Sequence, residues 1–333
     1  MRIVSNTNVG AHRIALSAAI LAGMTMAALA ADQATVVGAG PGAGAYQMAG
    51  AMAEAVNRFE GSDVVMTNRA SQGFVANTRL VETGGTDFAL TNGIFVYSAE
   101  NSIAPFEEMK ATNIQGVGPV STSWFQMAVP AESDTKTYMD LEGKRVNYAQ
   151  KGSNTEFMTR TIFEQLGIDE SINKEYMRWD QAATALIDGN IDGFSIPNPV
   201  PSPSILQASA SIPVRILSVP DEVITFFTDS NPGYYRSTVP AGSYNGMEDE
   251  SFETVAYTIF VTANAGLSED LVYRVTKATY DQASHDFLVN AFKGWAIGLK
   301  ATENNAFLEQ MAGFGMKLHP GAARYWKERG LIN

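Results

Sequence analysis

Short apolar runs alternate with helical stretches, and the alternation passes along the chain twice. Ala34-Thr35-Val36-Val37 predicts a strand stopped by Gly38. From Tyr46 to Phe59 the apolar residues Met48, Met52, Ala55, Val56 and Phe59 fall at helical spacing. Val64-Val65-Met66 predicts a second strand and Gly73 to Val81 a second helix. Asp87-Phe88-Ala89-Leu90 predicts a third strand, followed by a turn at Asn92-Gly93. Strand, helix, strand, helix, strand requires a mostly parallel sheet covered by helices.

The pattern restarts after two further strand candidates, Asn113 to Val120 and Phe125 to Val129. Lys144 to Tyr148 reads as a strand, Thr155 to Leu166 as a helix closed by Gly167, and Glu175 to Met177 as a strand. Gln181 to Ile187 then reads as a helix and Gly193 to Ile196 as a strand. Pro197 to Pro203 predicts a stiff loop. Val255 to Thr262 reads as one long strand. Ser268 is placed to cap a helix from Glu269 to about Ala283, and the remainder reads as helical, with a last helix from Gly321 to Arg329. The predicted fold is therefore α/β with two lobes joined by a hinge of extended crossovers. Lobe one comprises residues 31–123 and 255–333, lobe two residues 124–254, and a ligand cleft lies between them.

Residues 1–30 are predicted to be a cleaved leader. Arg2, His12 and Arg13 precede the apolar or small run Ile14 to Leu29, and Ala28-Leu29-Ala30 supplies the small residues of a signal-peptidase site. A membrane anchor is the alternative, but the run is short for a span. The reading is a soluble protein outside the cytoplasm, in the periplasm. There are no cysteines, so disulfides and thiolate chemistry are excluded. The net charge is −12. Such an acidic surface argues against nucleic acid and anionic lipid as partners, while local helix ends can still hold an anion.

The run Val36 to Ala43 has the glycine spacing of a dinucleotide fingerprint. The second strand, however, ends Met66-Thr67-Asn68-Arg69 without the acid that would hold a ribose. A loop of free amides for a carboxylate or solvent is the simpler reading. No Walker sequence, serine elbow or metal-ligand spacing is present; His285 and His319 stand apart. No cofactor, metal or catalytic residue is expected. The signal instead lies in polar residues and glycines at strand-to-helix junctions, where open α/β sheets bind ligands. They are Gly42, Gly44, Tyr46, Ser71 and Asn92 from lobe one, and Lys151, Gly152, Ser153, Asn154 and Thr155 from lobe two. Taken singly, each serine or threonine could simply cap its own helix. Trp124 could stack on a ligand or belong to the core.

Whole segments of the chain resemble the TAXI branch of the TRAP-transporter solute receptors. The likeness runs through Gly38 to Gly44 with Tyr46, Ser71 to Asn77, Thr86 to Leu90, Leu141 to Val146 and Gly152 to Glu156. It continues through Ala185 to Phe194, Val239 to Tyr244 and Leu318 to Trp326. The resemblance implies a two-lobed periplasmic-binding-protein fold of type II that closes on its ligand and docks on membrane transporter subunits. It also implies a small organic anion as ligand, such as glutamate or a 2-oxo or dicarboxylic acid. One molecule suffices to bind it, so a monomer is expected, and the absence of a nucleophile, metal set or His-centred base argues against an enzyme. A sensor-kinase input protein or an exported enzyme would be the alternatives. The sequence departs from the family in its first glycine loop, in Asn92 where Gln is common, and in the proline-rich Ser195 to Pro203, which places Asn198 near the cleft.

Overall fold

A computed structural model describes residues 31–41, 43–59 and 61–332. The predicted leader, residues 1–30, and the candidate ligand residue Gly42 lie outside the described residues.

The first pass of the alternation gives β1 (Asp32–Val37), α1 (Gly44–Arg58), β2 (Val64–Arg69), α2 (Phe74–Glu82), β3 (Phe88–Asn92) and α3 (Gly93–Glu100). A single long strand, β4 (Ile114–Pro130), follows. The second pass gives β5 (Arg145–Asn147), α4 (Asn154–Gln165), β6 (Asn173–Glu175), α5 (Trp179–Ile187) and β7 (Gly193–Asn198). Next come α6 (Pro203–Ser209), β8 (Val214–Ile216), α7 (Asp221–Ser230), β9 (Tyr234–Val239) and a second long strand, β10 (Phe252–Asn264). The chain closes with α8 (Glu269–Tyr280), α9 (Gln282–Ala291), α10 (Trp295–Ala301), α11 (Ala306–Gly313) and α12 (Pro320–Glu328).

Both halves of the sheet have one strand order. In the first it is β2-β1-β3-β10-β4; in the second it is β6-β5-β7-β4-β8. In each half the strands of its own βαβ units run parallel, and the strand arriving from the other half joins antiparallel. Parallel neighbours need crossover helices on the sheet faces, and α1, α2, α4 and α5 supply them. Helix α1 buries Met48, Ala49, Met52, Ala55 and Val56 along one face, as the spacing predicted. The β1–α1 turn is tight: a Cβ on Gly38 would lie 2.0 Å from the Ala45 carbonyl oxygen, so only glycine fits.

Several predicted elements change form. The two strand candidates at 113–129 are the one strand β4, so the lobe boundary drawn at 123/124 falls inside it, as the boundary at 254/255 falls inside β10. Asn92-Gly93 is not a turn. Asn92 ends β3 and caps α3, its Oδ1 accepting from the Phe95 amide at 2.9 Å. Ser268 does cap α8, but Asp281 interrupts the helix and caps α9 in turn. The proline-dense segment is only partly loop, because Pro203 occupies the first turn of α6, where its missing N–H costs nothing.

The C-terminal helices fasten to β4 through aromatic side chains with a polar end. Trp326 is buried among Tyr280, Phe307 and Tyr325, with ring centroids at 5.0, 5.0 and 4.9 Å, and its Nε1 donates to the Val117 carbonyl at 2.7 Å. Trp295 donates to the Met48 carbonyl on α1. His319 starts α12, its Nδ1 accepting from the Gly321 amide at 3.2 Å while its ring is almost wholly buried.

Burial holds the His319 imidazole below its ordinary value, because the charged form is desolvated. A depressed folded pKa means the stabilisation is complete above the unfolded value of about 6.5 and is lost as pH falls through the lower folded value. Protonation also removes the acceptor that caps α12. The melting temperature of the wild-type protein is therefore expected to fall more steeply from pH 7.5 to pH 5.5 than that of His319→Asn, which keeps an acceptor at the cap. Parallel melting curves for the two proteins would refute this assignment.

Candidate functional site

The helix starts of both sheet halves open onto one cleft. Its walls include Ala43, Gly44 and Ala45 at the start of α1, Gly73 and Phe74 at that of α2, Ser153, Asn154 and Thr155 at that of α4, and Trp179 and Asp180 of α5. Ser123 of β4 and Tyr257 and Ile259 of β10 form its floor. The cavity volume is about 170 Å³, somewhat more than the ~150 Å³ that accommodates benzene in an engineered cavity.

The first amides of an α-helix have no partner within the helix. At α1 the Tyr46 and Gln47 amides turn back to the Ala43 carbonyl. No side chain caps this start, and no acid occupies its first turn. At α4 Ser153 Oγ accepts from the Glu156 amide at 3.2 Å, so the hydroxyl does cap its own helix. The amides of Gly44, Ala45, Asn154 and Thr155 have no hydrogen-bond partner among the described residues. Such amides, together with the positive ends of the helix dipoles, favour a bound anion.

Asn154 is 6% exposed. Its Nδ2 donates to the Tyr257 hydroxyl at 2.7 Å, while its Oδ1 has no partner. Trp179 Nε1 is likewise buried without an acceptor. Burial pushes the Tyr257 phenol well above its usual range, so it remains a neutral hydroxyl.

The two walls already touch. A Cβ on Gly44 would stand 2.8 Å from Asn198 Oδ1 and 3.1 Å from the Phe292 ring, so glycine lets α1 meet the end of β7. Asn198 is oriented by its Nδ2 bond to Ser202 Oγ at 3.2 Å. Arg178 reaches across the cleft and donates from Nη2 to the Pro41 carbonyl at 3.2 Å. The same guanidinium grips Asp180, with Nε to Oδ1 and Nη2 to Oδ2 both at 3.2 Å.

The structure brings together Gly44, Ser71, Ser153, Asn154, Thr155 and Asn198 of the predicted residues. The others sit elsewhere. Tyr46 lies one step into α1, half-buried, its carbonyl accepting from Asn68. Asn92 is fully buried under the α3 start. Trp124 packs against the smaller hydrophobic core and donates from Nε1 to Ser237 Oγ at 2.9 Å. The Lys151 ammonium stands 4.6 Å from the centre of the Tyr176 ring. Gly152, at φ +76°, turns its amide to the Glu156 carboxylate.

Sequence reasoning missed Arg178, Trp179, Asp180 and Tyr257. The first three escaped because α5 was started at Gln181, two residues late. The Gln181 Oε1 contact with the Arg178 amide is the capping signal that marks the true start. Tyr257 lies mid-strand, where alternation tells the face of a residue but not what lies opposite.

Two solved structures share this architecture. One is the periplasmic binding protein BugD, at 13% identity over 90% of this chain and 97% of that one, with a TM-score of 0.53. The other is a TctC solute-binding protein from Polaromonas, at 14% identity over 90% and 98%, with a TM-score of 0.50. At such identities the likeness establishes the fold, the two-lobed one of periplasmic binding proteins. Residues 37–330, nearly all of the described protein, match one protein family, and on that match the chain belongs to the NMT1-like family.

Proposed function

We propose that this protein is an extracytoplasmic solute receptor that binds a small organic anion between its lobes and delivers it to a membrane transporter. The observation that carries the reading is the convergence of the α1 and α4 N-termini, from opposite lobes, on one cleft with amides left unpaired. An anion is the group those amides accept, and no cofactor is needed to explain them. Contacts from both lobes are complete only when the cleft is shut, so the ligand favours the closed state by the difference.

The wider setting follows the sequence. The basic start, short apolar run and small-residue exit of residues 1–30 suit export to the periplasm, and no helix among the described residues is long and apolar enough to cross a membrane. The resemblance to TAXI receptors supports a TRAP transporter as the partner, and since one molecule holds a complete cleft, a monomer suffices to bind. The ligand-contacting set is read as Gly44, Ser71, Ser153, Asn154, Thr155 and Asn198, joined by Tyr257.

A ligand that binds only the folded protein must raise its melting temperature. A thermal-shift screen of the refolded protein against small carboxylates is therefore expected to return at least one clear stabiliser. Changing Ser153 and Thr155 together to Ala is expected to weaken that ligand roughly tenfold, through loss of the cap that aims the α4 amides and of the Thr155 hydroxyl. Unchanged affinity in the double variant would remove these residues from the site. Gly44→Ala tests closure itself. With saturating ligand it is expected to show a larger radius of gyration by X-ray scattering than the wild type, and Asn198→Ala added to it to recover part of the difference. Equal radii would show that the Gly44–Asn198 approach does not limit closure.

A further inference from the structure

The charges that line the cleft come as one pair. Among the described lining residues Arg178 is the one cation and Asp180 the one anion, and the carboxylate grips the guanidinium through two contacts of 3.2 Å. The remaining reach of Arg178 Nη2 goes to the Pro41 carbonyl. Nearby cations are committed too. Arg160 is paired with Glu156 at 2.6 Å, Lys174 with the buried Asp169, and Lys151 lies over Tyr176. Among the described lining residues no cation lies free of a carboxylate, and Asp180 lies half-exposed at the wall. The hydrogen-bonding groups left waiting there are all neutral: the helix-start amides, Asn154 Oδ1 and Trp179 Nε1. Polar side chains such as Ser71, Gln72, Ser123 and Gln150 share the lining with an apolar face formed by Met48, Phe74, Trp179, Ile196 and Ile259.

Resting on the receptor reading above, we propose that the ligand is a small monoanion with an apolar body, and that Asp180 is the residue that excludes dianions. One carboxylate sits on the unpaired amides of α1 and α4, where dipoles rather than side-chain charge hold it. The apolar portion lies against Phe74, Trp179 and Ile259. A second carboxylate would meet Asp180 with its only cationic neighbour already bound, and like charges brought close together repel.

The test is calorimetric titration of the full protein with monoanions (2-oxoisovalerate, lactate, phenylacetate) and dianions (succinate, 2-oxoglutarate, malate). Wild type and Asp180→Asn, which keeps a side-chain acceptor in the first turn of α5, are compared. At least one monoanion is expected to bind the wild type about tenfold or more tighter than any dianion, and Asp180→Asn to shift that ratio toward the dianions by about tenfold. A dianion that binds the wild type as tightly as the best monoanion overturns the charge rule and leaves the receptor reading standing. A ratio unchanged by Asp180→Asn overturns the role of Asp180. Binding by neither class overturns the organic-anion reading and this inference with it. Should the variant fail to fold, judged by its circular dichroism, the wild-type ratio decides the proposal alone, and Arg178→Gln reports on the pair. That variant leaves Asp180 uncompensated and is expected to widen the preference for monoanions, whereas a narrowed preference counts against the inference.

Discussion

The ladder between β4 and β10 carries the rest of the molecule. Ile114 to Trp124 pairs antiparallel with Ala256 to Asn264, with two register shifts, between Ile259 and Phe260 and between Val261 and Thr262. β4 spans 17 residues, so at a rise of about 3.3 Å per residue it is long enough to serve both halves of the sheet. Its first part belongs to one half, and its last residues pair with β7 and β8 in the other. β10 does the same in reverse, holding β3 along one end and β9 along the other. The buried Thr254 hydroxyl donates to the Phe125 carbonyl at 2.6 Å, and Tyr280 and Trp326 donate to carbonyls of β4. Each lobe is thus built onto a strand that the other lobe also needs.

Much of this was legible in the sequence, and what was not has physical reasons. The order of strands and helices through β3 and again through β7 follows from periodicity, because a helix buried along one face must repeat its apolar residues. Residues 203–239 resisted. β8 has three residues, too few to show alternation, and α6 is a seven-residue helix announced by little besides Pro203. The strand-end rule named Gly44, Ser71 and the Ser153–Thr155 start, and these line the cleft. It placed Asn92 there too, because Asn92 also ends a strand. The rule cannot see that α3 covers Asn92 and makes it a cap. Lys151 has the right sign and neighbourhood, but an aromatic face captures its charge.

The chemistry of the cleft follows from how its polar groups are held. The unpaired donors at its helix starts are backbone amides, whose positions are fixed by helices that pack against the sheet. They need no long side chain to be ordered when something binds, so little conformational entropy is lost there. Ser153 illustrates the division of labour. Its hydroxyl is spent on the α4 cap, which sets the direction of the neighbouring free amides. Glu156 takes the Gly152 amide and is itself paired with Arg160, so the loop before α4 is braced by a carboxylate whose charge is already compensated.

Tyr257 and Ile259 line the cleft, while Thr258 between them faces the opposite side of the sheet, where it meets Tyr235 and a second groove beneath α10 and α11. Side chains on a strand alternate between faces, so inserting or deleting one residue in this part of β10 would exchange the two surfaces wholesale. The floor can therefore change over evolutionary time only by substitution in place. Changes of length are confined to the loops that lead into the helices, and the two surfaces of the hinge inherit a common, fixed spacing from one strand.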